Sequence, residues 1–226
     1  MEQGFFITGT DTSVGKTWAT VTLMRYFQAQ GKTVVGMKPV ASGGELIDGQ
    51  LRNEDALLLQ KNASEMLDYD LINPFAYHKP VSPHLAGENN PVDFNKIVAT
   101  FEELKQKAEI VLVEGVGGWL VPLNQQGDDV QALAKRLGLP VILVVAMRLG
   151  CLNHARLTYQ AIVGSELNCA GWLAMCVDPD MEKLNENICT LKSAINAPLL
   201  GVLAYSSTAD FDLWAKNIDF MRNINT

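Results

Sequence analysis

The stretch Gly4–Trp18, GFFITGTDTSVGKTW, sets Gly9, Gly15, Lys16 and Thr17 at a spacing that can hold phosphate. A short apolar run breaks into a Gly/Thr/Asp loop, and Gly15-Lys16-Thr17 then opens an amphipathic stretch, so the order is strand, loop, helix start. Backbone N–H groups of such a loop and the positive end of the helix dipole form an anion site. The Lys16 ammonium can then reach the β- and γ-phosphates of a nucleotide, and the Thr17 hydroxyl can ligate Mg²⁺. The competing reading, an ordinary turn with a surface lysine, requires that order to arise by chance. Five residues separate Gly9 from Gly15 where four are usual. Either Thr10 takes the first-glycine place or the loop is one residue longer.

Two further stretches end in a charged residue. The β-run Thr33–Met37 leads into Lys38, which places an ammonium at the carboxyl end of the strand expected next to the first, where open α/β sheets bind ligands. A snorkelling strand-end lysine is the plain alternative. The run Glu109–Glu114, EIVLVE, ends in a carboxylate and enters Gly115-Val116-Gly117-Gly118, fitting the second metal-binding position of a phosphate-loop NTPase and a backbone able to approach phosphate closely. Asp55 lies in the first turn of a helix capped by Asn53, and its position alone leaves open a dipole complement or a ligand. Gly150-Cys151-Leu152-Asn153 opens another helix whose N–H groups suit a carboxylate or merely a capped core helix. His84 reads as a hydrogen-bonded loop residue rather than a general base.

The elements that must position these residues alternate in type. Helices are expected over Trp18–Gln30, Asn53–Lys61, Asp93–Lys107, Asp128–Leu137, Gly150–Gly164, Met181–Ala194 and Ala209–Asn217. Strands are expected at Thr33–Met37, Glu109–Glu114, Pro140–Ala146, Asn168–Met175 and Leu199–Leu203, with loops over Ala41–Gln50 and Asn73–Gly87. Such alternation implies an α/β fold, a mostly parallel sheet with helices on both faces. At 226 residues one domain spanning 1–226 is expected. Net charge −7 and a pI near 5.0 argue against a general nucleic-acid or anionic-membrane surface. Residues 1–3 carry no basic n-region, and the longest apolar run, Leu139–Met147, is too short to span a bilayer, so a cytoplasmic location is expected. Cys151, Cys169, Cys176 and Cys189 lack C-x-x-C pairing and are expected reduced and mostly buried.

These pieces together resemble the dethiobiotin synthetase family, ATP-dependent cyclo-ligases of biotin synthesis. The resemblance rests on GTDTSVGKT at 9–17, KPVASG at 38–43, LRNEDA at 51–56, PVSPH at 80–84, VEGVGGW at 113–119, LPVILVV at 139–145, LGCLNHA at 149–155 and APLLG at 197–201. It implies about seven strands, a homodimer, and closure of 7,8-diaminopelargonic acid with CO₂ or bicarbonate to a cyclic urea, through a carbamate and a carbamic–phosphoric anhydride. It also implies catalytic Lys38 and Lys16, and Mg²⁺ on Thr17, Asp55 and Glu114. Nucleotide contacts are implied for Thr12, Ser13, Val14, Gly15, Lys16, Thr17, Trp18, Asp55, Glu114, Gly115, Val116, Gly117, Met175, Ala204, Tyr205 and Ser206. Substrate contacts are implied for Thr12, Lys38, Ser42, Ser82 and, across the dimer, Gly150, Cys151, Leu152 and Asn153.

Two positions depart from the pattern. Ala174-Met175-Cys176 stands where the family commonly has Ala-Asn-Asp, whose amide reads adenine, and Ala204-Tyr205-Ser206 stands where Pro-Trp-Leu is frequent. Relaxed nucleotide choice is therefore expected. Two other functions fit the same motifs: a different amide- or carbamate-forming ATP ligase, and a partition-type ATPase switch. The switch usually carries an extra lysine early in its loop, and positions 10–14 have none.

Overall fold

A computed structural model describes residues 4–220. In chain order the elements are β1 (Gly4–Gly9), α1 (Lys16–Ala29), β2 (Val34–Met37), β3 (Val40–Ser42), β4 (Glu45–Ile47), β5 (Gln50–Arg52), α2 (Glu54–Asn62), α3 (Tyr69–Ile72), β6 (Phe75–Tyr77) and α4 (Pro83–Ala86). They continue with α5 (Phe94–Lys107), β7 (Ile110–Glu114), α6 (Val130–Leu137), β8 (Val141–Met147), α7 (Cys151–Gly164), β9 (Cys169–Cys176), α8 (Leu184–Ala194), β10 (Leu199–Leu203) and α9 (Phe211–Ala215).

The main sheet is parallel throughout, in the order β10-β9-β8-β1-β7-β2. β1, β7 and β8 are buried along their whole length, as continuous apolar runs covered on both faces must be. Helix α1 buries nine of its fourteen residues. It is therefore held by packing on nearly every side rather than by one apolar stripe. Asn53, Asp93, Asp129 and Asp210 each accept a backbone N–H at a helix start, and Gly138 ends α6 in the left-handed conformation. One contiguous core runs from Phe5 to Phe220.

The main sheet thus has six strands among the described residues, not seven. The stretch read as a Gly-rich loop contains the β4–β5 hairpin, and the loop read over Asn73–Gly87 contributes β6, which pairs in parallel with β3, and the short α4. Strands of three residues carry too little alternation to be read from sequence. Helix α8 begins at Leu184 rather than Met181, because Lys183 takes a left-handed backbone (φ 56°), and α9 is shorter than expected. Cys151 and Cys176 are buried, but Cys169 is only partly so and Cys189 is exposed. Among the described residues no helix is long and apolar enough to cross a membrane.

Candidate active site

The chain leaves β1 for the β2 edge, returns through β7, and then crosses to β8 on the other side of β1. Strand order therefore reverses at β1, and a crevice must open beyond the carboxyl ends of the strands there. A cleft of about 830 Å³ occupies that place. Its lining comes from the loop after β1, the start of α1, the ends of β2, β7 and β9, the first turn of α2, and the segments 80–83 and 205–206.

The phosphate loop is shaped by two left-handed residues, Ser13 (φ 55°) and Gly15 (φ 83°). Thr10 donates its N–H to the Val144 carbonyl at 3.0 Å and so continues the strand. The loop proper is consequently Asp11–Gly15. A Cβ on Gly15 would stand 2.7 Å from the Met175 side chain, so glycine is required there for space as well as for φ. The Lys16 ammonium donates to the Asp11 carbonyl at 2.8 Å across the loop.

The floor is a compact set of charges. Glu114, at the end of β7, has no solvent exposure, and Lys38, just past β2, has 3%. The Lys38 ammonium donates to Glu114 Oε1 and, at 2.9 Å, to Asp55 Oδ2, while Thr17 Oγ1 donates to Glu114 Oε1 at 2.9 Å. Burial works against the Lys38 ammonium, but Glu114 and Asp55 outweigh it and hold Lys38 above the ordinary lysine range. Burial likewise opposes the Asp55 carboxylate, and Lys38 overrides it, holding Asp55 below the usual range. Glu114 Oε2 and Ser42 Oγ are buried without a partner. Such groups are costly unless something else bonds them.

Lys16 is pulled down to about 8, first by burial and then by repulsion from Lys38. A polyanion binds the ammonium form, so its affinity is expected to be flat below pH 8 and to fall up to about tenfold per unit above it, as binding must recover a proton. Calorimetry of metal-free ADP in two buffers of different ionisation enthalpy reads this directly. Proton uptake should rise from near zero at pH 7 toward one at pH 9 and vanish in Lys16→Arg. Uptake retained in that variant assigns the proton to another group.

The opposite wall carries Met175, Cys176, Val177, Tyr205 and Ser206, and it offers neither a side-chain amide nor a carboxylate. Burial holds the Cys176 thiol above its ordinary range, so it is neutral at pH 7. Trp18 lines the same side and leans on Trp214 at 5.6 Å between ring centres.

Of the residues singled out from sequence, the cleft brings together Thr12, Ser13, Gly15, Lys16, Thr17, Trp18, Lys38, Ser42, Asp55, Ser82, Glu114, Val116, Gly117, Met175, Tyr205 and Ser206. Val14, Gly115, Ala204 and the Gly150–Asn153 helix start do not line it. Val14 is fully buried against Gly9, leaving only its backbone for a ligand. His84 bonds Ser82 Oγ through Nδ1 at 2.9 Å. Sequence reasoning did not reach the apolar wall of Leu120, Val121 and Pro122, which follows the glycines of the 115–118 turn. Its only sequence signal was a hydrophobic run directly after a phosphate-type glycine turn.

Comparison with known proteins agrees over almost the whole chain. The AAA domain family profile matches residues 3–210. The chain is 47% identical to the ATP-dependent dethiobiotin synthetase BioD of Nitrosospira multiformis over 212 residues, 93% of this chain and 92% of that protein. It is 45% identical to the protein of the same name from Aromatoleum aromaticum over 210 residues, 92% of this chain and 93% of that one. Identity is 44% over 220 residues with that of Xanthomonas axonopodis pv. citri, covering 96% and 98%. Among solved structures the fold is similar to the MinC:MinD cell division protein complex of Aquifex aeolicus (TM-score 0.55, 15% identity, 95% of this chain and 86% of that one). It is also similar to the signal recognition particle receptor FtsY of Elizabethkingia anophelis in complex with GDP (TM-score 0.52, 14% identity, 94% and 59%). With relatives of that identity along nearly its full length, the chain belongs to the ATP-dependent dethiobiotin synthetase family.

Proposed function

We propose that this ATP-dependent ligase closes 7,8-diaminopelargonic acid and CO₂ to dethiobiotin, with a nucleoside triphosphate as phosphoryl donor. One observation carries the reading: a buried lysine, Lys38, shares the cleft floor with the phosphate-loop Lys16, two carboxylates and the unpartnered Ser42 hydroxyl. A neutral amine of the substrate attacks CO₂ to give a carbamate, the γ-phosphoryl group passes to a carbamate oxygen, and the second amine attacks the activated carbon and expels phosphate. No enzyme nucleophile is needed. The burden is positioning and charge stabilisation. Lys16 serves the β- and γ-phosphates, Lys38 the carbamate and the phosphoryl group in transfer, and Ser42 a substrate amine or the carbamate.

Thr17, Asp55 and Glu114 fit a magnesium ion. All three offer oxygen, Glu114 Oε2 is buried and unpartnered, and two carboxylates with one hydroxyl leave room for phosphate oxygens and water. Among the described residues no group of three or more His, Cys, Asp or Glu could hold a metal alone. When bound, the magnesium ion neutralises charge on the β- and γ-phosphates.

The substrate carboxylate is assigned to the Gly150–Asn153 helix start of a second subunit. In support, Leu149 beside it is 97% exposed and the segment lies outside its own cleft. A strictly monomeric yet active protein would remove this assignment. The decisive assay is dethiobiotin formation from the diamine, bicarbonate and Mg²⁺ with a panel of nucleotides. Product with none of them overturns the function. The rival that the motifs also fit, a partition-type ATPase switch, is distinguished by nucleotide turnover without any small-molecule product.

Nucleotide choice should be relaxed, because the wall at Met175–Val177 offers no side-chain amide or carboxylate to the adenine edge. A neutral hydrogen bond contributes about 0.5–1.5 kcal/mol and an unsatisfied partner costs about 1–3, so roughly ten- to a hundredfold of ATP preference is expected to be missing. The kcat/KM of four NTPs, beside Met175→Asn, measures it. A wild type preferring ATP by a hundredfold, unaltered by that substitution, reads adenine elsewhere.

A further inference from the structure

Lys38 stands where the sheet ends. Among the described residues strand β2 is an edge strand paired only with β7, and its register stops at Met37. Both backbone groups of Lys38 are instead bonded to one segment outside the main sheet. Its N–H donates to the Ile72 carbonyl at 2.8 Å, and its carbonyl accepts from Asn73 Nδ2 at 2.6 Å. Asn73, 3% exposed, is locked in turn by the Tyr69 hydroxyl, which donates to Asn73 Oδ1 at 2.8 Å. That hydroxyl also accepts the Asn53 backbone N–H at 2.8 Å. Asn53 is the cap of α2, its Oδ1 taking the Ala56 N–H, and Asp55 sits in the turn that follows.

A closed circuit results. From the Lys38 backbone it passes through Asn73 and Tyr69 to the start of α2 and so to Asp55, whose carboxylate returns to the Lys38 ammonium at 2.9 Å. Asn53 Nδ2 adds a bond to the Ser42 carbonyl at 3.4 Å, and the Arg52 guanidinium covers the Tyr69 ring at 4.1 Å. Apolar side chains would bridge the same gap without fixing any atom. Directional bonds between buried groups fix the separation of the two charged residues.

We infer that Tyr69 and Asn73 are positioning residues, a hydrogen-bonded tie that sets the Lys38 backbone against the first turn of α2 so that the ammonium and the Asp55 carboxylate keep their spacing during phosphoryl transfer. This rests on the roles given above to Lys38 and Asp55. Neither Tyr69 nor Asn73 lines the cleft, so each acts through the residues it holds.

Tyr69→Phe tests the tie, since it keeps the ring and its stacking on Arg52 and deletes only the hydroxyl. A misplacement on the order of 1 Å can cost about a hundredfold, so kcat for dethiobiotin formation is expected to fall about 10–100-fold while KM for the nucleotide moves less than about threefold. Triphosphate affinity measured in EDTA should stay within about threefold of wild type, while the gain on adding Mg²⁺ shrinks at least about fivefold. Asn73→Ala, which removes the other half of the tie, should show the same pattern. In a Lys38→Ala background the kcat loss on Tyr69→Phe should shrink, because that part runs through Lys38, while the loss of Mg²⁺ gain, which runs through Asp55, should persist. Phe101→Leu, a core change in α5, controls for lost stability and should leave kcat unchanged. Unaltered kcat and Mg²⁺ gain in Tyr69→Phe, or kcat losses that multiply in full with Lys38→Ala, overturn the tie. A wild type that forms no dethiobiotin overturns the functional reading instead, and the Mg²⁺ gain then decides the tie by itself.

Discussion

Lys38→Ala is expected to lower kcat by about 10²–10³ while nucleotide and diamine still bind, since one preorganised charge at a transition state is worth about 3–4 kcal/mol. A second effect follows from burial. Glu114 is wholly buried and takes its positive partner from Lys38. Breaking a buried ion pair on one side costs about 3–5 kcal/mol, which for a chain of this size lowers Tm by roughly 10 °C. Turnover must therefore be assayed well below the variant's Tm, with melting followed by circular dichroism. A variant retaining near-normal kcat takes Lys38 out of the mechanism. One that keeps the wild-type Tm shows that Glu114 finds other compensation.

Glu114→Gln and Asp55→Asn are expected to act on the cation rather than on the phosphoryl group. Each would delete an anionic oxygen from the proposed hard-ion shell. Changes merely behind metal ligands cost about 10–100-fold in affinity, so the Mg²⁺ concentration for half-maximal rate should rise at least tenfold in both. Activity should then recover in part at high Mg²⁺. Glu114→Gln should be the more severe, because Thr17 and Lys38 both bond its Oε1, whereas the Asp55 side chain is 45% exposed and can be replaced in part by water. If excess Mg²⁺ improves neither variant and metal binding is unchanged, both ligand assignments fail.

The parts of the site that sequence made legible are those whose position follows from one element. Lys16 and Thr17 sit at a helix start that their own glycine loop announces, and Lys38 and Glu114 terminate apolar runs whose parallel pairing follows from βα alternation. Asp55 was open between dipole complement and ligand, because nothing local says which way the first turn of α2 faces. Tyr69 and Asn73 were illegible for the same reason. Tyr69 fell in no expected element and Asn73 at the start of an expected loop, and only packing of α3 against β2 and α2 gives their side chains partners. The three-residue strands β3, β4, β5 and β6 fell below any periodic signal. The seventh strand came from resemblance and not from the residues, whose alternation contained six.

Strand order also governs which part of the cleft opens first. β1, which carries the phosphate loop, is bordered on both sides and buried throughout, whereas β10 is the outermost strand and three of its five residues are partly or fully exposed. Edge backbone opens at lower free energy than central backbone. The segment at Tyr205 and Ser206 that follows β10 is therefore expected to loosen first, while Lys16 and Glu114, on the start of α1 and on central β7, and Met175, 2% exposed on β9 between two strands, stay assembled. Under the proposed function a bound nucleotide would keep its phosphates while this flank opens. Residues 204–206, one of the two places where the chain leaves its family's pattern, lie on that flank.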